Sequence, residues 1–476
     1  MKRELIFKKL ADFLKIAMVL SLVFYISSCD NDDDEPAPMP DPGLVEAANS
    51  AGLTTLLAAI NEVDGLAATL TGSDNFTIFA PTNQAFADFL AAIGQTSLED
   101  IPEDVLATVL QYHVIQANDP ILSTDLQPNQ TVTTVANEDL TITVSGNTVS
   151  LNPASDNANV TTADVETQSG VVHVINKVLV PPSIKPIVGT IVAPAYFNNN
   201  FTTLVDAVLA ADPSVLTTLL DPAGTYTLFA PTNDAFTAAG ITDLSAVTDV
   251  EGVLTYHLLT SEVPEADVIT TDQATTANGQ EIFISVVGGT DVFINGTTQV
   301  TATDIAATNG IVHVINRTLI PPTQTIAGIV TDVADGGAGE FTILLDLIGQ
   351  AEDLPDGTSV VDFLSDASQE VTVFAPTDEA FGNVDPAILS SLTAVQIRDV
   401  LLYHLVGDAV FSTDLADGAV TTVNGADITI DATNLTITDE SGGTANILPG
   451  TNNELINILA TNGVIHTIDE VLLPTL

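Results

Sequence analysis

The sequence predicts an α+β fold that occurs three times in tandem. A Phe-Ala-Pro-Thr box starts at Phe79, Phe229 and Phe374, so its copies lie 150 and then 145 residues apart. That spacing is the length of a whole domain, and 476 residues allow about three of them. Within each copy, apolar residues first recur at helical spacing and then alternate, which predicts helices followed by mostly antiparallel strands.

The helical part comes first. In the first copy, apolar spacing predicts two or three short helices within residues 43–70 and another helix over residues 101–115. Between them, the alternating run 76–80 predicts a strand that Pro81 ends. Thr82 is a residue type that commonly begins a helix, so a helix is expected to follow the box.

The second half of each copy alternates and predicts strands. In the first copy these strands are expected at residues 131–135, 140–144, 148–151, 159–167 and 171–180. The last two are joined at Ser169-Gly170, and the other copies have Asn309-Gly310 and Asn462-Gly463 there. Asn-Gly between alternating strands predicts a hairpin with a type I′ turn.

The composition is strongly acidic, with 62 Asp and Glu residues against nine Lys and Arg and a net charge of −53. Such a chain repels DNA, RNA and anionic lipid headgroups, which excludes nucleic-acid binding. Solubility in salt-rich surroundings explains the charge, and the alternative is diffuse binding of divalent cations. No calcium loop with alternating Asp residues and a closing Glu occurs, so the sequence indicates neither a metal site nor a cofactor.

Residues 1–28 predict a lipoprotein signal peptide. A basic stretch, Met1–Lys9, precedes the apolar run Ile16–Ile26, which is shorter than the ~20 residues of a bilayer span. Two serines then lead to Cys29, the only cysteine of the chain, in a segment that resembles a bacterial lipobox. In that class the cysteine is lipidated and begins the mature protein. The alternative is an ordinary cleaved signal that leaves a free cysteine.

Residues 29–42 predict an acidic, proline-rich tether. Asp30–Glu35 is similar to the acidic stretch that directs some Gram-negative lipoproteins to the outer face of the outer membrane. The alternative is a solvated spacer with no sorting role. Prolines at alternate positions from Pro36 to Pro42 favour a stiff, polyproline-like segment. We therefore expect an outer-membrane lipoprotein, exposed at the cell surface, that touches the membrane only through its lipid anchor.

Three motifs recur in fixed order: the Phe-Ala-Pro-Thr box, a Tyr-His pair and a Gly-apolar-apolar-His strand. Together they resemble the fasciclin domain family. The resemblance implies three tandem domains, each a β-sheet wedge with packed helices, at residues 43–183, 187–323 and 326–476. It also implies extracellular or surface-anchored modules linked to cell adhesion and matrix contact. Proline-rich segments at residues 181–186 and 321–323 predict short, stiff connections between the domains.

All six histidines lie in these motifs, two per copy. His173, His313 and His466 share a strand face with apolar residues, which predicts structural side chains in the core, hydrogen-bonded to the backbone. A metal site needs three or more ligands, and a hydrolase needs a nucleophile, a base and an orienting group. No set of residues that recurs in the copies supplies either, so the sequence predicts a protein that is not an enzyme.

The Tyr-His pairs allow two roles. They are Tyr112 with His113, Tyr256 with His257, and Tyr403 with His404. The resemblance associates segments near such a pair with integrin recognition in animal members of the family, which would make these residues ligand contacts. The alternative is structural, with Tyr and His tying the end of a helix to the sheet.

The copies also differ from one another, and such differences are where partner specificity would lie. The third copy has Asp378 where the first two have asparagine, and Asn457 where they have Asp164 and Asp304. We expect a non-enzymatic adhesion or binding lipoprotein that presents three fasciclin modules to matrix, cell or glycan ligands, either protein or polysaccharide. The alternative is an envelope lipoprotein that serves polysaccharide uptake or buffers cations.

Overall fold

The computed structural model describes residues 43–71, 75–146, 148–151, 157–335, 340–351, 359–450 and 455–475. The predicted signal peptide, Cys29 and the tether lie outside these residues. Residues 42–476 form one unit, which contains three copies of a helix-and-sheet arrangement, so the predicted α+β fold is confirmed. No helix in the described part of the chain has the length and apolarity that a membrane span requires.

Helices open each copy and also flank its Phe-Ala-Pro-Thr strand. In the first copy they are α1 (Leu44–Ser50), α2 (Thr54–Glu62), α3 (Leu66–Thr71), α4 (Asn83–Ala92) and α5 (Glu103–Tyr112). In the second they are α6 (Ala193–Tyr196), α7 (Thr202–Ala210), α8 (Pro213–Leu219), α9 (Asn233–Ala238), α10 (Val250–Tyr256) and α11 (Glu265–Val268), with 3₁₀ turns at Asn199–Phe201 and Leu244–Ala246. In the third they are α12 (Ile326–Asp335), α13 (Thr342–Gln350), α14 (Val360–Ser365), α15 (Asp378–Asn383), α16 (Pro386–Ser391) and α17 (Ala394–Tyr403).

The strands follow the same pattern in the three copies. The first copy has β1 (Phe76–Pro81), β2 (Val114–Gln116), β3 (Gln130–Thr133), β4 (Asp139–Ser145), β5 (Thr148–Leu151), β6 (Ala158–Thr167) and β7 (Gly170–Ile175). The second has β8 (Tyr226–Pro231), β9 (Leu258–Leu259), β10 (Gln273–Thr275), β11 (Glu281–Val287), β12 (Asp291–Ile294), β13 (Thr298–Ala307) and β14 (Gly310–Ile315). The third has β15 (Val371–Pro376), β16 (Leu405–Val406), β17 (Gly418–Thr421), β18 (Asp427–Asp431), β19 (Thr436–Thr438), β20 (Thr444–Asn446), β21 (Ile458–Ala460) and β22 (Gly463–Ile468).

Each copy contains one parallel strand pair, which brings the recurring motifs together. The first sheet has the order β2-β1-β7-β6-β5-β4-β3, and the second repeats it as β9-β8-β14-β13-β12-β11-β10. In the third copy the strands form two sheets, β16-β15-β22-β21 and β17-β18-β19-β20. The box strand runs parallel to the Gly-apolar-apolar-His strand in every copy, so Phe79 is the register partner of His173.

The hairpin between the last two strands occurs where it is predicted, but the predicted type I′ turn is wrong. In the second copy Ala307 pairs with Gly310, so the central residues are Thr308 and Asn309, and neither has the positive φ that a type I′ turn requires. Gly310 has φ 142° and begins β14. A Cβ there would lie 1.9 Å from the carbonyl oxygen of Tyr226 on the parallel strand, and the other copies show the same contact. The glycine is needed for this close approach of two backbones.

Two predicted elements end earlier than expected. The helix predicted over 101–115 stops at Tyr112, and the residues after it form β2, which pairs antiparallel with β1. The strand predicted over 171–180 stops at Ile175. After Tyr112 the chain stays buried through Ile115, which is why the apolar run extends past the helix, whereas after Ile175 the exposed Asn176 and the half-buried Lys177 end the strand.

The connection between the first two copies is part of a core. One continuous apolar cluster contains Leu106 of α5, Ile191 and Phe197 on either side of α6 at the start of the second copy, and Leu204 of α7. Ile191 and Phe197 are fully buried. The prolines at residues 181–186 predict a stiff spacer, yet the chain that follows them packs into apolar surface of both copies.

Candidate functional site

The imidazole of each Tyr-His pair bridges two backbone segments inside the protein. His113 follows the last residue of α5, and its Nδ1–H donates to the carbonyl of Val109 at 2.7 Å. Its Nε2 accepts from the backbone N–H of Leu179 at 2.8 Å, so the ring is the neutral Nδ1–H tautomer. Burial lowers the pKa of His113 to about 4. His257 and His404 repeat both contacts, and burial lowers the pKa of each to about 4.

The tyrosine of each pair is buried as well, and its hydroxyl reaches the sheet. The hydroxyls donate to backbone carbonyls at 2.9, 2.9 and 2.8 Å: Tyr112 to Asp139, Tyr256 to Glu281, and Tyr403 to Asp427. Burial raises the pKa of Tyr112 and of Tyr256 to about 12. All six side chains of the pairs are at most 4% exposed. In the folded domains they join helix to sheet and offer almost no area to a macromolecular ligand.

The strand histidines form a second internal bridge. His173 accepts at Nδ1 from the N–H of Asp164 at 3.2 Å and donates from Nε2 to the carbonyl of Ile121 at 2.9 Å. His313 and His466 make the equivalent bonds. Each ring also packs on the box phenylalanine beside it, with centroids 5.6, 5.6 and 5.7 Å apart. Burial lowers the pKa of His466 to about 4 and also lowers that of His173.

The recurring motifs thus leave no imidazole nitrogen for chemistry. All six histidines use both ring nitrogens on backbone groups. A general base needs a free nitrogen within reach of a substrate proton. Across the described residues, no group of three or more His, Cys, Asp or Glu side chains is placed to hold a metal ion.

Asn457, one of the residues that distinguish the third copy, contacts the neighbouring copy. Asp164, Asp304 and Asn457 all lie at a positive-φ position, where the side chain accepts a hydrogen bond from a nearby backbone N–H. The amide Nδ2 of Asn457 also donates to the carbonyl of Gly296 in the second copy at 3.0 Å. A carboxylate has no donor, so only asparagine makes this bond between copies.

A second departure, Asp378, changes a helix cap. In the first two copies Asn83 and Asn233 accept from the first turn of α2 and of α7, and they donate to a backbone carbonyl just before that helix. Asp378 likewise accepts from the backbone N–H of Ile343 at 3.0 Å, but it has no donor, and the hydroxyl of Thr342 donates to it. A negative charge near the first turn of α13 is favourable because of the helix dipole.

The junction between the first two copies is built from residues that the motifs do not include. Gln95 donates from Nε2 to the carbonyl of Pro194 at 3.1 Å and accepts from Nδ2 of Asn198 at 3.1 Å. Phe89 of α4 meets Phe197 edge-on, with ring centroids 5.9 Å apart. Sequence reasoning missed these residues because they do not recur in all three copies.

The junction between the second and third copies is also formed by an aromatic pair and a side-chain hydrogen bond. Phe283 of β11 and Phe411 have ring centroids 5.2 Å apart, and the hydroxyl of Ser285 donates to Asp414 at 2.7 Å. Burial raises the pKa of Asp414. These residues, like those of the first junction, could have been noticed only as differences between the copies.

A family model described as the fasciclin domain matches this chain three times, over residues 51–181, 199–321 and 340–474. The chain belongs to the fasciclin family. Its three copies are three tandem fasciclin domains, so the predicted family and fold are confirmed.

Relatives of this fasciclin chain occur in animals and bacteria. It is 27% identical to transforming growth factor-beta-induced protein ig-h3 of Sus scrofa over 390 residues, which are 80% of this chain and 52% of that protein. The chain therefore spans about half the length of that relative. It is 32% identical to immunogenic protein MPB70 of Mycobacterium bovis over 149 residues, 30% of this chain and 70% of that protein.

Among solved structures, the chain is similar to a FAS1 domain pair from the insect cell adhesion molecule fasciclin I. The two are 20% identical with a TM-score of 0.26, and the match covers 58% of this chain and 98% of the other.

Proposed function

We propose that this fasciclin chain is a non-enzymatic binding lipoprotein that mediates adhesion at the cell surface. One observation carries the proposal: the motifs shared by the three domains are buried and hydrogen-bonded within each domain. Ligand recognition is therefore left to exposed residues that differ between the domains. The resemblance of the motifs to modules linked to cell adhesion and matrix contact supports this assignment.

The anchor of the proposed lipoprotein is Cys29. The basic and apolar leader before this cysteine and the acidic tether after it support lipidation and transport to the surface of the outer membrane. Labelling of cells with an azide-bearing fatty acid should tag the wild-type protein but not the Cys29→Ser variant. Added protease should remove the tagged protein from intact cells. A protein that is tagged but protected would place the anchor on the inner leaflet, which contradicts surface exposure.

The proposed ligands are extracellular proteins or polysaccharides. Tandem domains raise the strength of weak contacts when several engage one surface together. We expect residues 30–476, applied to an array of glycans and matrix proteins, to bind densely immobilised ligand much more strongly than sparse ligand. Binding no greater than that of an unrelated protein of equal negative charge would count against adhesion.

A second candidate function is cation buffering or service to a polysaccharide-uptake system. An open, polar cleft at the junction of the second and third domains favours it, because Asp272, Glu370, Asp408 and Asp414 line that cleft. Running the array with and without calcium, beside a calcium titration, separates the two functions. Calcium uptake without any array ligand would support cation buffering, binding confined to polysaccharides would support the uptake role, and calcium-independent binding to matrix proteins would support adhesion.

A further inference from the structure

The helical half of the second domain contains an apolar cavity of about 350 Å³. It lies among α7, α8, α10 and the segment that connects the first two domains. Small-molecule pockets in proteins commonly measure roughly 300–1,000 Å³ and have mostly apolar walls. The cavity is therefore of a size that suits a small ligand.

The same place in the third domain is nearly filled. Leu204, Val215 and Leu254 line the cavity of the second domain, and the equivalent Leu344, Val360 and Leu401 line a space of about 20 Å³. The equivalence of the walls follows from shared hydrogen bonds. Leu219 and Leu364, for example, both accept at their carbonyls from the asparagine before the last strand.

Two wall positions of the cavity carry larger side chains in the third domain. Thr218, next to Leu219, corresponds to Phe363, and Thr255, before the tyrosine of the Tyr-His pair, corresponds to Leu402. Phe363 and Leu402 both pack against the core of the third domain. The second domain has a short, branched residue at each position, so the cavity is specified by its sequence. An empty apolar cavity destabilises a fold, whereas a ligand that fills it stabilises the folded state.

The residues at the mouth of the cavity disfavour binding of an anionic ligand. Leu209 at the mouth is 64% exposed, and Glu251 is exposed nearby. His257, in the wall, is a neutral ring with both nitrogens already bonded. The hydroxyls of Ser214 and Thr260 can bond an uncharged polar group, while Glu251 and the net charge of −53 repel a carboxylate. We propose that this cavity binds an uncharged aliphatic chain, with a head such as a hydroxyl at the rim.

Displacement of a fluorescent probe tests the proposal on the full chain. The Cys29→Ser substitution is used throughout, because it removes the proposed lipid anchor, whose acyl chains could otherwise occupy the cavity. The neutral dye N-phenyl-1-naphthylamine is bound first, and dodecanol and dodecanoate are then compared as competitors. Because the apolar leader offers the dye a second apolar segment, the readout is the difference between this protein and a variant with the cavity filled by Thr218→Phe and Thr255→Leu. We expect dodecanol to compete at least tenfold more weakly in the filled variant, and dodecanoate to compete at least tenfold more weakly than dodecanol in the unfilled protein.

The controls keep the outcome interpretable. Thr217→Phe puts the same ring on an exposed position of α8 outside the cavity wall and should bind as the unfilled protein does. Circular dichroism checks folding, and if the double variant does not fold, Thr255→Leu alone serves in its place. Equal dodecanol competition in filled and unfilled proteins would overturn the proposed site. Equal competition by dodecanol and dodecanoate would overturn the proposed ligand class.

Discussion

At the residue scale, each fasciclin domain depends on imidazoles that act as neutral bridges between backbone segments. His404, for example, connects the carbonyl of Val400 in α17 to the N–H of Leu472, which is 68 residues further along the chain. Replacing one partner of such a buried bridge leaves a polar group unsatisfied, at a cost of about 1–3 kcal/mol. A structural role of this kind explains why the motif histidines recur in all three domains of a protein that we propose is not an enzyme.

Acid should weaken the fold through these same residues. The pKa of His404 falls from 6.5 to about 4 on folding, so between these pH values the unfolded chain binds more protons than the folded one. The stabilisation from His404 is complete above about pH 6.5 and is lost as pH falls toward 4, and it amounts to ~3 kcal/mol. Urea unfolding of the third domain should show the loss between pH 7.5 and 5. His404→Gln should be less stable at pH 7.5 but lose less on acidification. Parallel pH curves for the two proteins would show that another group causes the acid effect.

A glycine at the start of the last strand is a second requirement at this scale. Gly463 has φ 143°, and a Cβ on it would lie 1.9 Å from the carbonyl oxygen of Val371. Gly463→Ala should therefore separate β15 from β22 and cost well over the ~1 kcal/mol of a glycine-to-alanine change at a free site. Gly425 is the matched control, since it also has a positive φ but has open space around it. A similar fall in unfolding free energy for Gly425→Ala would mean that φ alone, and not the close approach, sets the requirement.

At the scale of elements, the periodicity of apolar residues predicts most helices and strands. The buried face of a helix or strand is formed by residues a few positions apart, so it is visible as a local sequence pattern. Thr82 could be predicted as an N-cap, and its hydroxyl accepts from the N–H of Ala85 in the structure. The turn before Gly310 could not be predicted correctly, because its geometry is fixed by Tyr226 on a strand far away in sequence. The contacts of Phe197 could not be predicted for the same reason, because packing between domains leaves no local pattern in the sequence.

A single amide contributes to the contact between the second and third domains. Asn457→Asp keeps the oxygen that accepts from the N–H of Ser412 but removes the amide N–H that donates to the carbonyl of Gly296. It also puts a carboxylate at a buried position. We expect the free energy of unfolding to fall by about 1–3 kcal/mol. In a urea titration, the third domain should then unfold at a lower urea concentration. The matched control is Asp304→Asn in the second domain, where the side chain only accepts from Glu265. Equal losses in both variants would contradict a special role of Asn457 between domains.

At the scale of the whole molecule, the three fasciclin domains are unequal partners. The first two share one apolar core, whereas the third has its own helix-side core and meets the second at a junction that includes the rings of Phe283 and Phe411. Stability should therefore be divided between a first-and-second pair and the third domain. Recognition surfaces in the proposed adhesin would then keep a fixed spacing across the first junction, because separating these two domains exposes core.

Phe197→Ala tests this division. The ring is fully buried in the shared core and meets Phe89 of the first domain edge-on, so its loss should cost about 3–5 kcal/mol. Hydrogen exchange in moderate urea, read on peptides from β1, β8 and β15, should show that the first two strands lose protection together while β15 keeps it. Phe374→Ala, which removes a core ring of the third domain, should give the opposite result. If Phe197→Ala exposes β8 and leaves β1 protected, the first and second domains unfold independently and the shared core does not couple them.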